Sequence, residues 1–263
     1  MAKGELKGTA FPAKLLRGRV AIVTGGSRGI GRATVLRLAE AGANVVVNYV
    51  SNKAAAEEVS ALARESGVEA IAVRADVSKV RDASALIKAT IKRFARIDLL
   101  VANAGIWEGA AIEEMSEAMW DRVIETNLKG TWAPCRAVVP VMKRQKQGAI
   151  IIVSSTSGQR GEAGYASYSA SKGGQISFTK TLASELAPEI RVNAVAPGWV
   201  DTSMNDEVFE DSEFIKGIIS GIPLRRLATA DDVANSIVFL ASGWAKHITG
   251  EILNVNGGAV LCG

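Results

Sequence analysis

Histidine, cysteine and long apolar runs are scarce in this chain of 263 residues. It has one histidine, His247, and two cysteines, Cys135 and Cys262. These residues are too few and too far apart for a disulfide framework or a structural metal, so we expect no metal. No apolar run approaches the ~20 residues that a membrane span needs. Charges and a proline interrupt residues 1–16, where a signal peptide has its apolar core. We therefore expect a cytoplasmic protein that does not bind a membrane.

The excess of basic side chains is confined to the start of the chain. Residues 1–19 contain five basic residues and one acidic residue, a net of +4, and residues 20–263 contain 26 of each sign. We predict that residues 1–16 are a flexible basic extension and that residues 17–263 form one domain. Because the charges of residues 20–263 balance, we expect no nucleic-acid partner.

Short apolar runs alternate with helical patterns through the rest of the chain. The predicted strands are residues 19–24, 44–48, 69–74, 99–102, 149–153, 190–196 and 252–255. The predicted helices are residues 32–41, 54–65, 82–94, 116–126, a further helix to about 145 and one that ends near 186. This alternation predicts an α/β protein with a single-domain Rossmann fold, in which helices flank a doubly wound parallel sheet of about seven strands.

A glycine-rich turn, Gly25–Gly31, joins the first predicted strand to the first helix. Glycines let the backbone approach a pyrophosphate closely, and the start of the helix favours its negative charge. The spacing is G-x-x-x-G-x-G rather than G-x-G-x-x-G, so a simple tight turn is the alternative. Asp76 and Asn103 follow later strands and are expected at the same crevice, because ligands bind at the carboxyl ends of parallel strands.

The second predicted strand ends without the acidic residue that binds the ribose of NAD in such folds. Tyr49 occupies this place, and no acid lies between residues 42 and 56. The side chains expected to hold the 2′-phosphate of NADP instead are Arg28 with Ser51, Asn52 or Lys53. The alternative is that Arg28 and Lys53 are ordinary solvated charges. We predict NADP (as NADPH) in preference to NAD.

Residues 154–172 bring together a hydroxyl, a phenol and an ammonium. Tyr168 and Lys172 are four residues apart, so they lie on one face of the predicted helix. We expect the ammonium to lower the phenol pKa, so that Tyr168 exchanges a proton near neutral pH. Many helices carry such a pair without function, which is the alternative that the rest of the sequence must overturn.

Taken together, these motifs resemble the classical short-chain dehydrogenase/reductase family over about residues 17–260. The matching pieces are Thr24-Gly-Gly-Ser-Arg-Gly-Ile-Gly31, Asp76-Val77, Asn103-Ala-Gly105, Asn127, Ser155, Tyr168-Ser-Ala-Ser-Lys172 and Pro197-Gly198. Each motif is weak alone, but their order and spacing make the resemblance specific.

The resemblance implies a catalytic set of four residues. Tyr168 is expected to protonate a carbonyl oxygen while hydride arrives, Ser155 to orient that oxygen, and Lys172 to hold the nicotinamide ribose. Asn127 is expected to hold a water that links Lys172 to solvent. Ser154 neighbours Ser155, but the family's thirteen-residue step to Tyr168 selects Ser155. The cofactor-binding residues that the resemblance implies are Gly25, Ser27, Arg28, Gly29, Ile30, Gly31, Tyr49, Ser51, Asn52, Asp76, Val77, Asn103, Ala104, Gly105, Tyr168, Lys172, Pro197, Gly198, Val200 and Thr202.

The branch that the chain most resembles is that of the bacterial 3-oxoacyl-acyl-carrier-protein reductases of fatty acid biosynthesis. Residues 223–228 and 250–258 are typical of it. An acidic carrier protein calls for a basic patch beside the active-site mouth, which Lys143, Arg144 and Lys146 are expected to supply in part. The chain departs from the branch at Ala187-Pro-Glu189, where carrier-protein reductases have a basic residue.

A different substrate is indicated by a group of large side chains. The expected pocket residues are Trp107, Ser155, Tyr165, Trp199 and Met204. Residues 199–223 are expected to form a lid. An aromatic pocket suits a cyclic ketone, quinone, sugar or other secondary alcohol, and ordinary lid packing is the alternative. A non-catalytic NADP-binding sensor is the alternative from another class of protein.

The resemblance also implies an assembly, a homotetramer or a dimer. Its expected interfaces are the helices around Glu114–Gln145 and Tyr165–Leu186, and the last helix and strand. The apolar residues 259–262 are suited to burial in the second interface.

Overall fold

Strands and helices alternate along the chain in the computed structural model, which describes residues 15–202 and 212–262. In chain order the elements are β1 (Val20–Val23), α1 (Gly29–Glu40), β2 (Asn44–Tyr49), α2 (Lys53–Glu65), β3 (Ala70–Arg74), α3 (Val80–Phe94), β4 (Leu99–Ala102), α4 (Glu117–Val123), α5 (Gly130–Gln145), β5 (Gly148–Val153), α6 (Ser157–Arg160), α7 (Ala166–Leu186), β6 (Ile190–Pro197), β7 (Val200–Asp201), α8 (Ser212–Gly221), β8 (Ala228–Thr229), α9 (Ala230–Ala241) and β9 (Ile252–Val255). A π-helical turn, Ile124–Lys129, joins α4 to α5. Residues 1–14 of the predicted basic extension and Met204 lie outside the described residues. Leu16, at the end of the predicted extension, is 6% exposed, and its amide donates to the carbonyl of Ala41 at 2.8 Å.

The main sheet has seven parallel strands in the order β3-β2-β1-β4-β5-β6-β9. The chain moves outward from β1 to β3 and then returns to place β4 on the other side of β1. The carboxyl ends of β1 and β4 therefore border the crevice where doubly wound sheets bind ligands. This topology confirms the predicted fold class and strand number.

Both faces of the sheet are covered, which explains why its strands are continuously apolar rather than alternating. Residues of β1 and β4 are at most 4% exposed. Leu38 of α1 and Ile237 of α9 pack on one face, and Leu86 of α3 and Val138 of α5 pack on the other.

The region predicted as a lid contains more regular structure than its weak pattern indicated. Within Trp199–Pro223 the structure has the short strand β7, which pairs with β8, and the helix α8. The last helix, α9, begins with a capping box formed by Thr229 and Asp232. The Asp232 amide donates to Thr229 Oγ1 at 3.1 Å, and the Thr229 amide donates to Asp232 Oδ2 at 2.8 Å.

The described residues contain neither a membrane-spanning helix nor a group of side chains that could bind a metal ion. No helix there combines the length and hydropathy needed to cross a bilayer. In the same part of the chain, no three His, Cys, Asp or Glu side chains are grouped closely enough to bind a metal ion.

Candidate active site

The glycine turn forms a backbone cradle at the start of α1. Gly25 has a φ of +62°, which other residues rarely adopt. A Cβ atom on Gly31 would lie 2.2 Å from the carbonyl oxygen of Gly25, so no larger residue fits there. The free amides at the start of α1 make this end of the helix suitable for a phosphate. The residues present therefore fit the pyrophosphate of a dinucleotide.

Hydrogen bonds tie the glycine turn to the end of β4. Thr24 Oγ1 accepts from the amides of Asn103 at 2.9 Å and Ala104 at 3.0 Å. In return, Asn103 Nδ2 donates to the carbonyls of Thr24 at 2.9 Å and Gly25 at 3.2 Å. Asn103 was predicted as a cofactor residue, whereas Thr24 was named only as the first residue of the glycine motif, without a role. The two strand ends are thus fixed to each other at the crevice.

The residues predicted to hold a 2′-phosphate gather around the end of β2. Arg28 is exposed in the glycine turn, and Tyr49 is buried at the end of β2. Asn52 is engaged as the cap of α2, since its Oδ1 accepts from the Ala55 amide at 3.0 Å. Arg74 pairs with Tyr49 across β2 and β3, and its Nε donates to the carbonyl of Val50 at 3.0 Å. This second exposed cation was missed because 25 residues separate it from Tyr49.

The other predicted cofactor residues fall near the same crevice. Asp76 follows β3, and its Oδ1 accepts from Ser78 Oγ at 2.6 Å. The side chain of Thr202 lies 3.5 Å from the place where Gly29 would carry a Cβ atom, so the segment after β7 meets the glycine turn. Pro197 accepts from the Thr156 amide at 3.0 Å, which holds the end of β6 beside Ser155.

Ser155 and Ser154, at the end of β5, have different partners. Ser154 is buried, and its Oγ donates to the carbonyl of Lys172 at 2.9 Å, so it fastens β5 to α7. Ser155 Oγ accepts from the Ser157 amide at 3.2 Å and shares a hydrogen bond with the Tyr168 phenol. The structure therefore brings Ser155, rather than Ser154, to Tyr168.

The Lys172 ammonium is buried next to the ring of Tyr168. Its Nζ lies 5.6 Å from the centroid of that ring and donates to the carbonyl of Val153 at 2.8 Å. Burial lowers the pKa of Lys172 to about 7, because removal from water disfavours its charged form. Near neutral pH this side chain therefore changes charge easily.

The phenol of Tyr168 corrects one expectation from the sequence. We expected Lys172 to lower its pKa, but burial raises the pKa of Tyr168 to about 12, while the hydrogen bond with Ser155 acts in the opposite direction. Burial withdraws the phenol from water and so disfavours its charged phenolate form. The Tyr168 phenol thus keeps its proton at neutral pH.

Asn127 lies in the π-helical turn and is fully buried. Its Nδ2 donates to the carbonyl of Ile106 at 3.0 Å and to Ser171 Oγ at 3.1 Å, and its Oδ1 accepts from the Ile106 amide at 2.8 Å. A Cβ atom on Gly105 would lie 3.2 Å from Asn127 Oδ1 and 3.7 Å from Lys172 Nζ. Asn127 therefore clamps the loop after β4 against α7, and its water-holding role stays a prediction.

Three of the predicted pocket residues form an aromatic cluster. Trp107 stacks on Tyr165 with centroids 4.4 Å apart and an interplanar angle of 9°, and it meets Trp199 edge to face at 5.8 Å. Phe214 of α8 meets Trp199 in the same way at 6.1 Å. Phe214 was missed because its pattern is that of an ordinary amphipathic helix. The cluster joins the loop after β4, the start of α7, the segment after β6 and α8.

The basic patch proposed for a carrier protein does not lie at the crevice of its own chain. Lys143 and Arg144 are in the last turn of α5, and Lys146 follows it. This helix leads into the start of β5, so the three cations are at the amino ends of the strands. The crevice is at the carboxyl ends, on the opposite edge of the sheet. The expectation that these cations flank the active-site mouth is therefore wrong for a single chain.

Comparisons with known proteins agree with this geometry. The family model described as enoyl-(acyl carrier protein) reductase matches residues 25–260. The 3-oxoacyl-[acyl-carrier-protein] reductase of Staphylococcus epidermidis is 45% identical over 92% of this chain and 98% of that protein. The enzyme of the same name from Synechocystis sp. is 45% identical over 94% of this chain and 98% of that protein.

Solved structures give the same result. A protein assigned as a short-chain alcohol dehydrogenase, from Sinorhizobium meliloti 1021, has a TM-score of 0.90 at 36% identity, covering 94% of this chain and 98% of that one. Levodione reductase has a TM-score of 0.89 at 31% identity, covering 92% and 98%. Similarity over this much of the chain, with the Ser155, Tyr168 and Lys172 motif in place, shows that the protein belongs to the short-chain dehydrogenase/reductase family.

Proposed function

We propose that the protein is an NADPH-dependent carbonyl reductase, an oxidoreductase acting on CH–OH groups, that reduces a 3-oxoacyl thioester to the 3-hydroxyacyl form. The observation that carries this proposal is the hydrogen bond between Ser155 and Tyr168 beside the buried ammonium of Lys172. The names of the two relatives at 45% identity supply the substrate class, with an acyl carrier protein as a possible partner and fatty acid biosynthesis as the setting.

In this reaction a carbonyl carbon gains a hydride and its oxygen gains a proton. NADPH, when bound, supplies the hydride. Ser155 donates a hydrogen bond that orients the carbonyl oxygen, and Tyr168 gives up the phenolic proton to that oxygen. Because the pKa of Tyr168 is about 12, the phenol is fully protonated at neutral pH and ready to act as the acid.

The two buried groups support each other during proton transfer. Burial alone disfavours the phenolate of Tyr168 and the ammonium of Lys172. When the phenol loses its proton, the phenolate favours protonation of Lys172, and the ammonium in turn stabilises the phenolate. Lys172, whose Nζ lies 5.6 Å from the centroid of the Tyr168 ring, therefore stabilises the phenolate at the moment of transfer.

The end of β2 and the cations at the same edge of the sheet support NADP over NAD. Tyr49 stands where an NAD-specific site would place a carboxylate, and two exposed cations, Arg28 in the glycine turn and Arg74 beside Tyr49, follow or end the adjacent strands. Guanidinium groups pair well with phosphate oxygens. Residues 17–263 would form the one catalytic domain, with residues 1–16 as its extension.

A second candidate substrate is a cyclic ketone, quinone, sugar or other secondary alcohol. The stacked rings of Trp107 and Tyr165 favour it, because aromatic faces bind flat rings better than a thin acyl arm. The position of Lys143, Arg144 and Lys146 at the far edge of the sheet also weakens the case for a carrier protein.

The proposal extends to assembly and location. We propose a cytoplasmic homotetramer or dimer, with no nucleic-acid or membrane partner. Two exposed tryptophans support an interface on α4 and α5, since Trp120 is 39% and Trp132 is 40% exposed. Large exposed aromatic side chains are enriched where proteins associate.

The decisive experiment is the initial rate of NADPH and NADH oxidation with acetoacetyl-coenzyme A as acceptor. We expect turnover with NADPH and much slower turnover with NADH. Tyr168→Phe retains the ring but has no proton to give, so it should lower kcat by about 100-fold or more and still bind NADPH. Near-normal turnover by Tyr168→Phe would refute the proposed role of Tyr168.

Two other outcomes redirect the proposal. Activity on bulky cyclic ketones or quinones, without activity on the thioester, would favour the second candidate substrate. Binding of NADPH without turnover on any carbonyl would favour a non-catalytic sensor.

A further inference from the structure

A buried polar network connects α7 to the π-helical turn behind the catalytic residues. Gln175 is fully buried, three residues after Lys172. Its Nε2 donates to the backbone carbonyl of Asn127 at 2.9 Å and to Thr131 Oγ1 at 2.7 Å. Thr131 Oγ1 donates to the same carbonyl at 2.8 Å. Two side chains thus donate hydrogen bonds to one backbone oxygen.

This carbonyl lies in an irregular part of the backbone. Asn127 is inside the single π-helical turn between α4 and α5, where the regular hydrogen-bond ladder of an α-helix is interrupted. A carbonyl oxygen has two lone pairs, and here Gln175 and Thr131 supply a donor for each. The network therefore stabilises the turn at the residue that belongs to the active site.

Of the two polar atoms in the Gln175 side chain, the amide nitrogen Nε2 is the one that makes hydrogen bonds. Among the described residues, no group donates to its buried Oε1. An unpartnered buried oxygen is unfavourable, and an apolar side chain of similar size would fill the same space without that cost. The hydrogen bonds donated by Nε2 are therefore the one advantage of glutamine over leucine at this position.

A short chain of contacts runs from this carbonyl to the catalytic residues. The side chain of Asn127 holds Ile106 and Ser171, and Ser171 Oγ donates to the carbonyl of Tyr168 at 2.7 Å. If the peptide plane of Asn127 rotates, its side chain moves with it. The loop at Ile106 and the first turns of α7 would then lose their shared partner.

We propose that Gln175 is a positioning residue for the active site, acting through the backbone carbonyl of Asn127. It fixes the π-helical turn so that the Asn127 amide holds the loop after β4 against Tyr168 and Lys172. This inference rests on the proposed function only for the tests that measure turnover. It concerns how the site is held rather than which carbonyl it reduces.

The first test is a double-mutant cycle between Gln175→Leu and Asn127→Ala, measured as kcat and as the Kd for NADPH. We expect Gln175→Leu to lower kcat about tenfold or more, because small displacements in an active site are costly, and to change the Kd little. Added to Asn127→Ala, the same substitution should cause no further loss, since the side-chain amide through which Gln175 acts on the loop after β4 is already gone. Thr90→Val is the matched control, because Thr90 Oγ1 makes a buried bond to the carbonyl of Leu86 on the distant α3.

The second test does not depend on turnover. The Ile106 amide donates to Asn127 Oδ1, so hydrogen exchange at residues 103–107 reports the clamp directly. We expect faster exchange there in Gln175→Leu and unchanged exchange in Thr90→Val. If the wild-type protein reduces no carbonyl, the proposed function is wrong and the exchange result still decides the role of Gln175.

Three results would overturn the inference: a normal kcat in Gln175→Leu, a full additional loss in the Asn127→Ala background, or unchanged exchange at residues 103–107. If Gln175→Leu does not fold, Thr131 gives access to the same carbonyl. Thr131→Val should then lower kcat and speed exchange at residues 103–107, and Thr131→Ser, which retains the hydroxyl, should not. Equal behaviour of these two variants would also contradict the proposal.

Discussion

The charge of Lys172 is subject to two opposing demands. Catalysis needs an ammonium beside the phenolate of Tyr168, whereas burial of the side chain lowers its pKa to about 7. Lysine in an unfolded chain has a pKa of about 10.4. Between these two values the unfolded state binds more protons than the folded state, so folding becomes more favourable as the pH rises.

The stability of the protein should therefore depend on pH through Lys172. Relative to Lys172→Met, the free energy of unfolding of the wild type should increase by about 2–3 kcal/mol between pH 6 and pH 9, because each pKa unit corresponds to about 1.4 kcal/mol. The gain should be lost as the pH falls through about 7. Urea unfolding of both proteins across this range measures the difference.

Lys180→Met provides the control, because Lys180 is an exposed lysine on the same helix. The difference in free energy of unfolding between Lys180→Met and the wild type should change much less with pH than the difference for Lys172→Met. If the difference for Lys172→Met is also independent of pH, the ammonium is not as buried as the structure shows.

Some residues of the site were predictable from the sequence. A separation of four residues places Tyr168 and Lys172 on one helix face, and the family resemblance selected Ser155. The pKa of Tyr168 was not predictable, since its direction depends on the burial of the phenol. Gln175 and Phe214 were missed because their partners are distant in sequence.

At the level of elements, Asp98 joins the starts of β1 and β4. It is 6% exposed, and its carboxylate accepts from the Val20 amide at 3.0 Å, from Arg19 Nη1 at 2.8 Å and from Arg96 Nη2 at 2.6 Å. Burial raises the pKa of this carboxyl, but the hydrogen bonds from Arg96, Arg19 and Val20 outweigh it and lower the pKa below its ordinary value. The charged form is therefore the one that stabilises the fold.

Asp98→Asn should destabilise the protein by about 1–3 kcal/mol at pH 7, because an amide nitrogen would replace an oxygen that accepts from arginine. A carboxyl with a lowered pKa contributes stability above its unfolded pKa and loses it as the pH falls. The difference in free energy of unfolding between Asp98→Asn and the wild type should thus become smaller towards pH 3. Thermal unfolding of both proteins at several pH values measures this difference.

An exposed aspartate of α4, Asp121, serves as the matched control. Asp121→Asn should leave the melting temperature within about a degree of the wild type, since surface substitutions rarely exceed 0.5 kcal/mol. An Asp98→Asn difference that is equally small would show that the carboxylate does not hold the two strands.

The elements themselves followed from the sequence more closely than the connections did. Buried parallel strands are short apolar runs, so β4 and β9 were predicted with their observed ends. The π-helical turn at Ile124–Lys129 was not predicted, because one of the side chains that stabilise it, Gln175, is 48 residues from its partner Asn127. The pairing of β7 with β8 involves two residues on each strand, too few for any pattern.

At the scale of the whole molecule, the surface of α4 and α5 is unusual for an isolated chain. Trp132 is 40% exposed, and the guanidinium of Arg136 lies 5.9 Å from the centroid of its ring. Trp120 is 39% exposed on the neighbouring helix. Exposed tryptophans on two consecutive helices are more consistent with an interface than with a solvated surface.

We therefore expect wild-type protein to have two or four times the 27.6 kDa mass of one chain in light scattering. Trp132→Glu should lower that mass at the same concentration, because the apolar ring would be lost and a carboxylate would have to be removed from water in the contact. Val50→Glu makes the same change at a residue that is 49% exposed after β2, and it should leave the mass unaltered. A monomeric wild type would exclude the assembly, and an unchanged mass in Trp132→Glu would place the interface elsewhere. Because the site lies within one chain, loss of assembly by Trp132→Glu should leave binding of NADPH intact.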